Sequence, residues 1–353
     1  MNYMREKDIS WIVNLRCFAT ICVIIIHVSF PLLSLTDFPN YYWWSGNLFD
    51  SFGRCSVPVF VMLTGYLFLP KPLIINNFFA NRVKKLLLPF ICWNFIYILI
   101  LYRWGYPETN AFQFLINIAI PKMILGKVSY HFWYIYMLIL LYLILPLLGS
   151  ILKGISNNGL LLLLLIWGIS VGFGKFIGFS ELDPRNFAFY IGYLIVGYSF
   201  SRNFSFLQHK KLHVFAIIGF LIGLSVTVIG TYKISTIESR FNGFFYGYFS
   251  PNVFVMAVSV FLFFKCKLDK KPHWIIEILD RYSYGIYLVH VLVLYYLRRL
   301  DLNCNLLSPI IGIPLTTIVC LFISCFINIF LAKLGHYLFS NNAESKMKIV
   351  KRM

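Results

Sequence analysis

The chain has 353 residues, of which 59% are hydrophobic and only 12% are charged, and its formal net charge is +18. A soluble domain usually carries about 25% charged residues, so this composition excludes an ordinary water-soluble fold and predicts a surface in contact with membrane lipids. The positive charge does not indicate nucleic-acid binding, because lysine and arginine orient membrane proteins in the bilayer and bind anionic ligands there.

Apolar stretches of about 17–25 residues are typical of transmembrane helices. We therefore predict an all-α integral membrane protein with about ten transmembrane helices, in a domain that spans residues 1–340 and precedes a short basic cytoplasmic tail at residues 341–353. The candidate spans are 11–33, 49–69, 86–102, 131–149, 160–179, 187–201, 212–232, 249–265, 283–300 and 309–333.

The distribution of basic residues predicts that both termini are cytoplasmic. With the N-terminus inside, 20 of the 31 lysines and arginines fall in cytoplasmic segments and nine fall in outer segments. This bias follows the positive-inside rule and requires an even number of spans. The first span lacks a small-residue cleavage site and contains Arg16, so we interpret it as a retained helix and not as a signal peptide.

The eight cysteines form no CxxC pair, and most lie in apolar stretches. A cysteine in such a stretch behaves as a small hydrophobic residue. The pattern therefore predicts neither a disulfide framework nor a metal site.

Two ionisable residues, Arg16 and His27, lie in the first span. Their separation of eleven residues returns to almost the same helix face and corresponds to a rise of roughly 16 Å. A charge at the bilayer centre costs roughly 2.5–3.5 kcal/mol on insertion scales, so such residues usually face a protein interior or a wet cavity. His27 is suited to act as a general base, and Arg16 can bind phosphate. The alternatives are a histidine satisfied by a neighbouring helix and a snorkelling arginine.

Four further segments contain candidate site residues. Arg54 and Ser56 precede Pro58 and Gly65 in the second span. Pro58 and Gly65 can kink a membrane helix around a cavity. The alternative is that the small residues of this segment pack helices together. Arg82, Lys84 and Lys85 form a basic cluster before the third span, which indicates a phosphate-rich ligand or plain positive-inside charge.

The other two segments are aromatic. His131 and Trp133 begin the fourth span, where they predict either a platform for a sugar ring or an interfacial aromatic belt. Ser283, Tyr287 and His290 share one stripe of the ninth span, and His290 is a candidate partner for His27 or an acceptor ligand. The sequence contains no hydrolase elbow, metalloprotease helix, phosphate-binding NTPase loop or dinucleotide fingerprint.

Five segments together resemble membrane acyltransferase family 3, especially the smaller members that O-acetylate bacterial surface polysaccharides. The matching segments are Asn14–His27, Arg54–Tyr66, Arg82–Pro89, His131–Tyr134 and Ser283–His290. The resemblance implies a ten-helix enzyme that uses acetyl-CoA, with Arg16 and His27 as essential residues and with Arg82 and Lys85 near the coenzyme. The chain departs from the family pattern at Val13, where an acidic residue is common, and at Lys85, where an arginine is usual.

These observations predict an inner-membrane O-acyltransferase that moves an acetyl group from acetyl-CoA to a sugar hydroxyl of a lipid-linked or surface polysaccharide, such as O-antigen, common antigen or capsule. The predicted catalytic residues are His27, Arg16 and His290. The predicted donor-binding residues are Arg82, Lys84, Lys85 and Arg16, and the predicted acceptor-binding residues are Arg54, Ser56, His131, Trp133 and Tyr287. The alternative is a transporter or flippase of a lipid-linked glycan or acyl unit that uses the two histidines as proton sites.

Overall fold

The computed structural model describes residues 6–35, 38–71, 84–101, 110–176, 183–202, 207, 209–302, 304 and 308–350, and this part of the chain is helical without a β-strand. Its helices are α1 (Glu6–Ser29), α2 (Pro31–Leu35), α3 (Tyr41–Gly53), α4 (Ser56–Phe68), α5 (Lys84–Leu101), α6 (Ala111–Phe114), α7 (Ile120–Ile124), α8 (Trp133–Lys153), α9 (Asn157–Phe176), α10 (Ile191–Ser199), α11 (Leu212–Glu238), α12 (Pro251–Lys267), α13 (Trp274–Arg281), α14 (Ser283–Arg299) and α15 (Pro309–Val350). A π-helical turn (Leu115–Ala119) and three 3₁₀ turns (Tyr130–Phe132, Pro184–Tyr190 and Phe244–Tyr246) complete them.

The all-α membrane architecture is confirmed. Within the described residues, six helical segments are long and apolar enough to cross a bilayer: Ser10–Ser34, Tyr41–Phe68, Tyr130–Lys153, Leu212–Glu238, Phe244–Lys267 and Pro309–Leu334. The described part of each of the ten predicted spans contains helix, but the count of ten and the cytoplasmic termini stay predictions. Helix α15 runs without a break through residue 340, so the division between domain and tail also stays a prediction.

Helix α1 lies inside the helix bundle. It packs against α3, α4, α12, α13, α14 and α15, and Leu15 and Ala19 are fully buried. Its hydroxyl side chains bond to the helix itself: Thr20 Oγ1 donates to the carbonyl of Arg16 at 2.9 Å, and Ser29 Oγ donates to that of Ile25 at 2.7 Å. This backbone pairing satisfies polar groups that lipid cannot satisfy. The side chains of Arg16 and His27, in contrast, contact neighbouring helices.

Helices α4 and α10 cross with their backbones in contact. A Cβ atom on Gly65 would lie 2.0 Å from the carbonyl oxygen of Leu194, and one on Gly197 would lie 1.9 Å from that of Met62. Small residues permit such an approach between membrane helices. Of the two interpretations of Gly65, the structure supports helix packing, because α4 continues through this residue to Phe68.

We expect Gly197→Ala to lower the stability of the protein by about 1–3 kcal/mol, because the added methyl group meets backbone that cannot move aside. Gly168→Ala in α9 is the matched control, since a Cβ at Gly168 meets nothing within 4 Å and alanine favours helix by up to about 1 kcal/mol. The test compares thermal unfolding midpoints in the same detergent. Equal midpoints for the two variants would contradict the α4–α10 contact.

Candidate active site

Histidines from three separate elements meet at one end of the bundle. His27 is on α1, His290 is on α14, and His131 is in the 3₁₀ turn before α8. The rings of His27 and His290 are stacked with centroids 5.2 Å apart, and the ring of His131 lies 5.1 Å from that of His290 and 6.4 Å from that of His27. His131 and His290 are 1% and 0% exposed, whereas His27 is half-buried, so the first two rings of this histidine cluster are closed to bulk water.

Hydrogen bonds orient two of the rings. Nδ1 of His290 lies 2.7 Å from the carbonyl oxygen of Tyr287, and Nδ1 of His131 lies 2.8 Å from Oγ of Ser129. Because a carbonyl only accepts, Nδ1 of His290 carries the proton, and its Nε2 is left with a lone pair. The Tyr287 hydroxyl donates to the carbonyl of His131, which ties α14 to the turn.

The Nε2 atoms of His131 and His290 are buried, and neither makes a hydrogen bond of good geometry to the described residues. The carbonyl of Leu288 lies near the ring of His131, but it accepts a hydrogen bond from the Tyr97 hydroxyl at 3.0 Å. Buried polar atoms of proteins are nearly always paired, so an exception calls for an explanation such as a ligand or a proton-transfer role. Nε2 of His290 therefore offers a lone pair to a polar group that enters the cluster.

A buried ion pair lies beside the cluster, at the break between α3 and α4. Nε of Arg54 donates to Oδ1 of Asp50 at 2.5 Å, and the guanidinium lies 4.4 Å from the ring centre of Tyr246. The Tyr246 hydroxyl donates to Oδ1 of Asn47 at 2.6 Å. Arg54 is predicted to bind the acceptor, but its charge is already compensated by Asp50. Asp50 was not predicted, although it stands four residues earlier on the same helix face.

The other predicted acceptor residues are dispersed. Ser56 is buried and its Oγ makes no hydrogen bond to the described residues. Trp133 lies in an aromatic group with Tyr190 and Tyr248, at centroid distances of 6.1 and 5.7 Å. Of this predicted set, the structure brings His131 and Tyr287 into the histidine cluster, and the acceptor-binding role of all five residues stays a prediction.

Arg16 is paired near the middle of α1, roughly 16 Å along the helix from His27. Its Nε lies 3.1 Å from Oδ1 of Asp280, a residue of α13 whose side chain is 14% exposed. Burial raises the pKa of the Asp280 carboxyl, and the positive charge of Arg16 opposes this shift. Asp280 was not predicted, because it is remote in sequence and lies on a short helix. Asp280 supplies a carboxylate partner for Arg16. The pattern that the sequence resembles often has an acidic residue at the position of Val13, which this chain lacks.

The predicted coenzyme-binding cluster is described in part. Lys85 is exposed in the first turn of α5, whereas Arg82 and the side chain of Lys84 lie outside the described residues. This end of α5 lies near the start of α14, because the Tyr284 hydroxyl donates to the carbonyl of Leu86 at 2.6 Å. The other end of α5 lies near the histidines, since the ring of Tyr97 is 5.6 Å from that of His131. From Lys85 to Tyr97 the helix rises roughly 18 Å.

The described residues include no group of three or more His, Cys, Asp or Glu arranged to hold a metal ion. The chain belongs to acyltransferase family 3, whose family model, described as an acyltransferase domain, matches residues 9–329. The protein is therefore a multi-pass membrane acyltransferase. Comparisons with curated proteins and with solved structures gave no match.

We expect the Arg16–Asp280 pair to appear as a coupling energy of about 0.5–1 kcal/mol in a double-mutant cycle of Arg16→Gln and Asp280→Asn, because the arginine side chain is 35% exposed and solvent screens the pair. The measurement is the free energy of unfolding in mixed micelles. Glu277→Gln is the matched control, since Glu277 is an exposed carboxylate of the same helix. Additive effects of Arg16→Gln and Asp280→Asn would show that the pair does not form.

Proposed function

We propose that this acyltransferase is an O-acetyltransferase that moves an acetyl group from acetyl-CoA to a sugar hydroxyl of a lipid-linked or surface polysaccharide. The observation that carries the proposal is the cluster of His27, His131 and His290, in which two of the three imidazoles are buried and Nε2 of His290 keeps a lone pair. A neutral imidazole with a lone pair can act as a general base.

In the proposed acetyl transfer, His27 is the general base. Its imidazole removes the proton of the acceptor hydroxyl while the hydroxyl oxygen attacks the thioester carbonyl carbon. The tetrahedral intermediate collapses with cleavage of the carbon–sulfur bond, and the proton passes from His27 to the departing thiolate of coenzyme A. A two-step route, in which His27 first accepts the acetyl group and then passes it to the hydroxyl, gives the same products.

His290 and Arg16 support His27 in different ways. The hydrogen bond from Nδ1 of His290 to the carbonyl of Tyr287 holds this ring against that of His27, so its Nε2 can accept a hydrogen bond from the entering hydroxyl. Arg16 lies roughly 16 Å from His27 along α1. Its guanidinium, held by Asp280, is a binding group for the donor and not a proton carrier.

The donor enters from the side of Arg82, Lys84 and Lys85 in this proposal. These cations bind the phosphates of acetyl-CoA, and Arg16 lies deeper along the same route. In acetyl-CoA the pantetheine arm lies between the thioester and the phosphates. The length of this arm is comparable to the distance between Lys85 and the histidine cluster. The bacterial inner membrane supplies both cytoplasmic acetyl-CoA and lipid-linked glycans.

The acceptor class rests on the resemblance of five sequence segments to members of the family that O-acetylate bacterial surface polysaccharides. We propose that the acceptor is of the kind that the O-acetyltransferase of enterobacterial common antigen modifies, and O-antigen and capsule are acceptors of the same chemical kind. The alternative of a transporter or flippase is not favoured, because the family match points to acyl transfer.

We expect His27→Ala to lower the rate of acetyl transfer by about 10²–10⁴-fold, because general-base catalysis contributes about that factor. The assay follows radiolabelled acetyl-CoA into lipid-linked glycan in isolated membranes, and mass spectrometry of the surface glycan checks the result in cells. His209→Ala, which changes an exposed histidine outside the cluster, is the control and retains the wild-type rate. Undiminished acetylation in His27→Ala would overturn the mechanism, and proton-coupled glycan uptake without any acetyl transfer would favour the transporter.

We expect Lys85→Gln to raise the KM for acetyl-CoA about threefold to fivefold with little change in kcat, because an exposed cation contributes binding energy equally to the ground state and the transition state. The control is Lys153→Gln, which removes an exposed lysine at the end of α8. An unchanged KM in Lys85→Gln would remove Lys85 from the donor site.

A further inference from the structure

A basic pocket of about 300 Å³ lies between the start of α11 and the end of α12. Lys210 and His213 come from the segment that begins α11, and Lys265 and Lys267 come from the last turn of α12. None of the eight lining residues is acidic. This composition is that of a site for an anion, provided that enough of its cations are not already engaged within the protein.

Lys265 is already engaged. Its ammonium group donates to the carbonyl of Phe200 and lies 5.1 Å from the ring centre of Tyr66. Lys210 and Lys267 differ from it, because both are exposed and neither forms an ion pair with another residue that the structure describes. The capacity of the basic pocket for an anion therefore rests on Lys210 and Lys267.

The basic pocket is placed at the edge of the apolar part of the bundle. The Asn14 side-chain amide donates to the carbonyl of Leu268 at 3.1 Å, so the end of α12 is level with the half of α1 that contains Arg16. Beyond the pocket, α11 presents apolar side chains such as Phe215 and Ile222, which are 59% and 57% exposed. Basic residues beside such a surface are typical of the boundary between lipid headgroups and hydrocarbon.

An apolar groove of about 210 Å³ continues from the basic pocket along the same two helices. On α11 its lining includes Ile217, four residues after His213, and on α12 it includes Phe263, four residues before Lys267. The groove therefore begins about one helical turn from the pocket. Ile217 and Leu221 are 44% and 54% exposed, so the groove is open toward the surroundings of α11.

Aromatic rings from four helices line this groove. Phe18 of α1 lies 5.9 Å from Phe52 of α3 and 5.2 Å from Phe264 of α12, measured between ring centroids. Phe52 in turn lies 5.5 Å from Phe220 of α11. A chain that fills the groove thus contacts α1, α3, α11 and α12 together, and it reaches α1 two residues from Arg16.

The pocket and the groove together suit an amphipathic anion. Exposed lysines at the membrane edge suit a phosphate, and the groove suits a hydrocarbon chain, because Ser259 is its only polar lining residue among those described. Coenzyme A does not match this pair of sites, since the amide groups of its pantetheine arm would lose their hydrogen bonds in an apolar groove. A zwitterionic headgroup matches less well than an anionic one, because its ammonium group meets no carboxylate in the pocket lining.

We propose that the basic pocket and the apolar groove bind one anionic phospholipid. Its phosphate lies at Lys210 and Lys267, and an acyl chain lies in the groove between α11 and α12. Because the chain packs against Phe18 and Phe52, the bound lipid stabilises the junction of the four helices. This site lies on α11 and α12, apart from Lys85 on α5, and it does not rest on the proposed function.

The test is native mass spectrometry of the full-length protein, titrated in detergent with dioleoyl phosphatidylglycerol and with dioleoyl phosphatidylethanolamine. These two lipids share their acyl chains and differ in headgroup charge. We expect the wild-type protein to bind phosphatidylglycerol about tenfold more tightly, and the double variant Lys210→Gln/Lys267→Gln to lose most of this preference. The reason is that each cation beside an anionic headgroup contributes roughly fivefold to affinity.

A matched control separates the pocket from general surface charge. Lys270→Gln/Lys271→Gln makes the same change at two exposed lysines outside the pocket lining, and it keeps the wild-type preference. Lys210 lies in the turn before α11, so Lys210→Gln alone replaces the double variant if that variant does not fold, with an expected loss of about fivefold.

Shortened ligands separate a bound lipid from a bound phosphate. Dihexanoyl phosphatidylglycerol and glycerol 1-phosphate keep the phosphate but fill little or none of the groove. We expect each to bind at least tenfold more weakly than the dioleoyl lipid, because every buried methylene group adds to affinity. Equal affinity would overturn the assignment of the groove.

Three other results would also overturn the proposal. The first is equal binding of the two dioleoyl lipids by the wild-type protein. The second is an undiminished preference in Lys210→Gln/Lys267→Gln, or an equal loss in the Lys270→Gln/Lys271→Gln control. The third is a loss of coenzyme A binding in Lys210→Gln/Lys267→Gln with lipid binding unchanged, which would assign the pocket to the donor.

Discussion

Polar side chains of a lipid-surrounded helix must find their partners inside the protein, and the first helix carries two that cannot be satisfied by lipid. Arg16 pairs with Asp280 near the middle of α1, and His27 stacks on His290 near its C-terminal end. Both partners lie far from α1 in the sequence, so the need to pair them holds α13 and α14 against α1. The bond from Arg298 to the carbonyl of His27 adds a third tie along the same side. The bundle around α1 is organised by these contacts.

The same contacts give the site two chemically different ends. The end near Lys85 and Arg16 is positively charged and suited to the phosphates of a donor, whereas His131 and His290 at the other end are buried and, with His27, suited to proton transfer. Helices α1, α5 and α14 run between the two ends, which keeps both at a fixed separation. In the proposed reaction, a long, thin donor such as acetyl-CoA bridges that separation. This division explains why the essential residues predicted for the family lie so far apart along one helix.

Patterns within a single helix were predictable from the sequence, and contacts between helices were not. The eleven-residue spacing placed Arg16 and His27 on one face, and the apolar stretches predicted the all-α membrane fold. Asp280 was missed because pairing across 264 residues leaves no local signal. His131 was expected at an interface among aromatic residues, but its turn folds inward against α14, which buries the ring. Arg54 was predicted to bind the acceptor because Asp50, four residues earlier, was not recognised as its partner.

A cryo-electron-microscopy structure with a non-reactive acetyl-CoA analogue that lacks the thioester sulfur tests the central claim most directly. The account predicts that the acetyl carbonyl of the analogue lies beside His27 and His290, with the phosphates at the Lys84–Lys85 end of α5. An analogue with its phosphates at Arg298, or with its acetyl group remote from the histidine cluster, would contradict it.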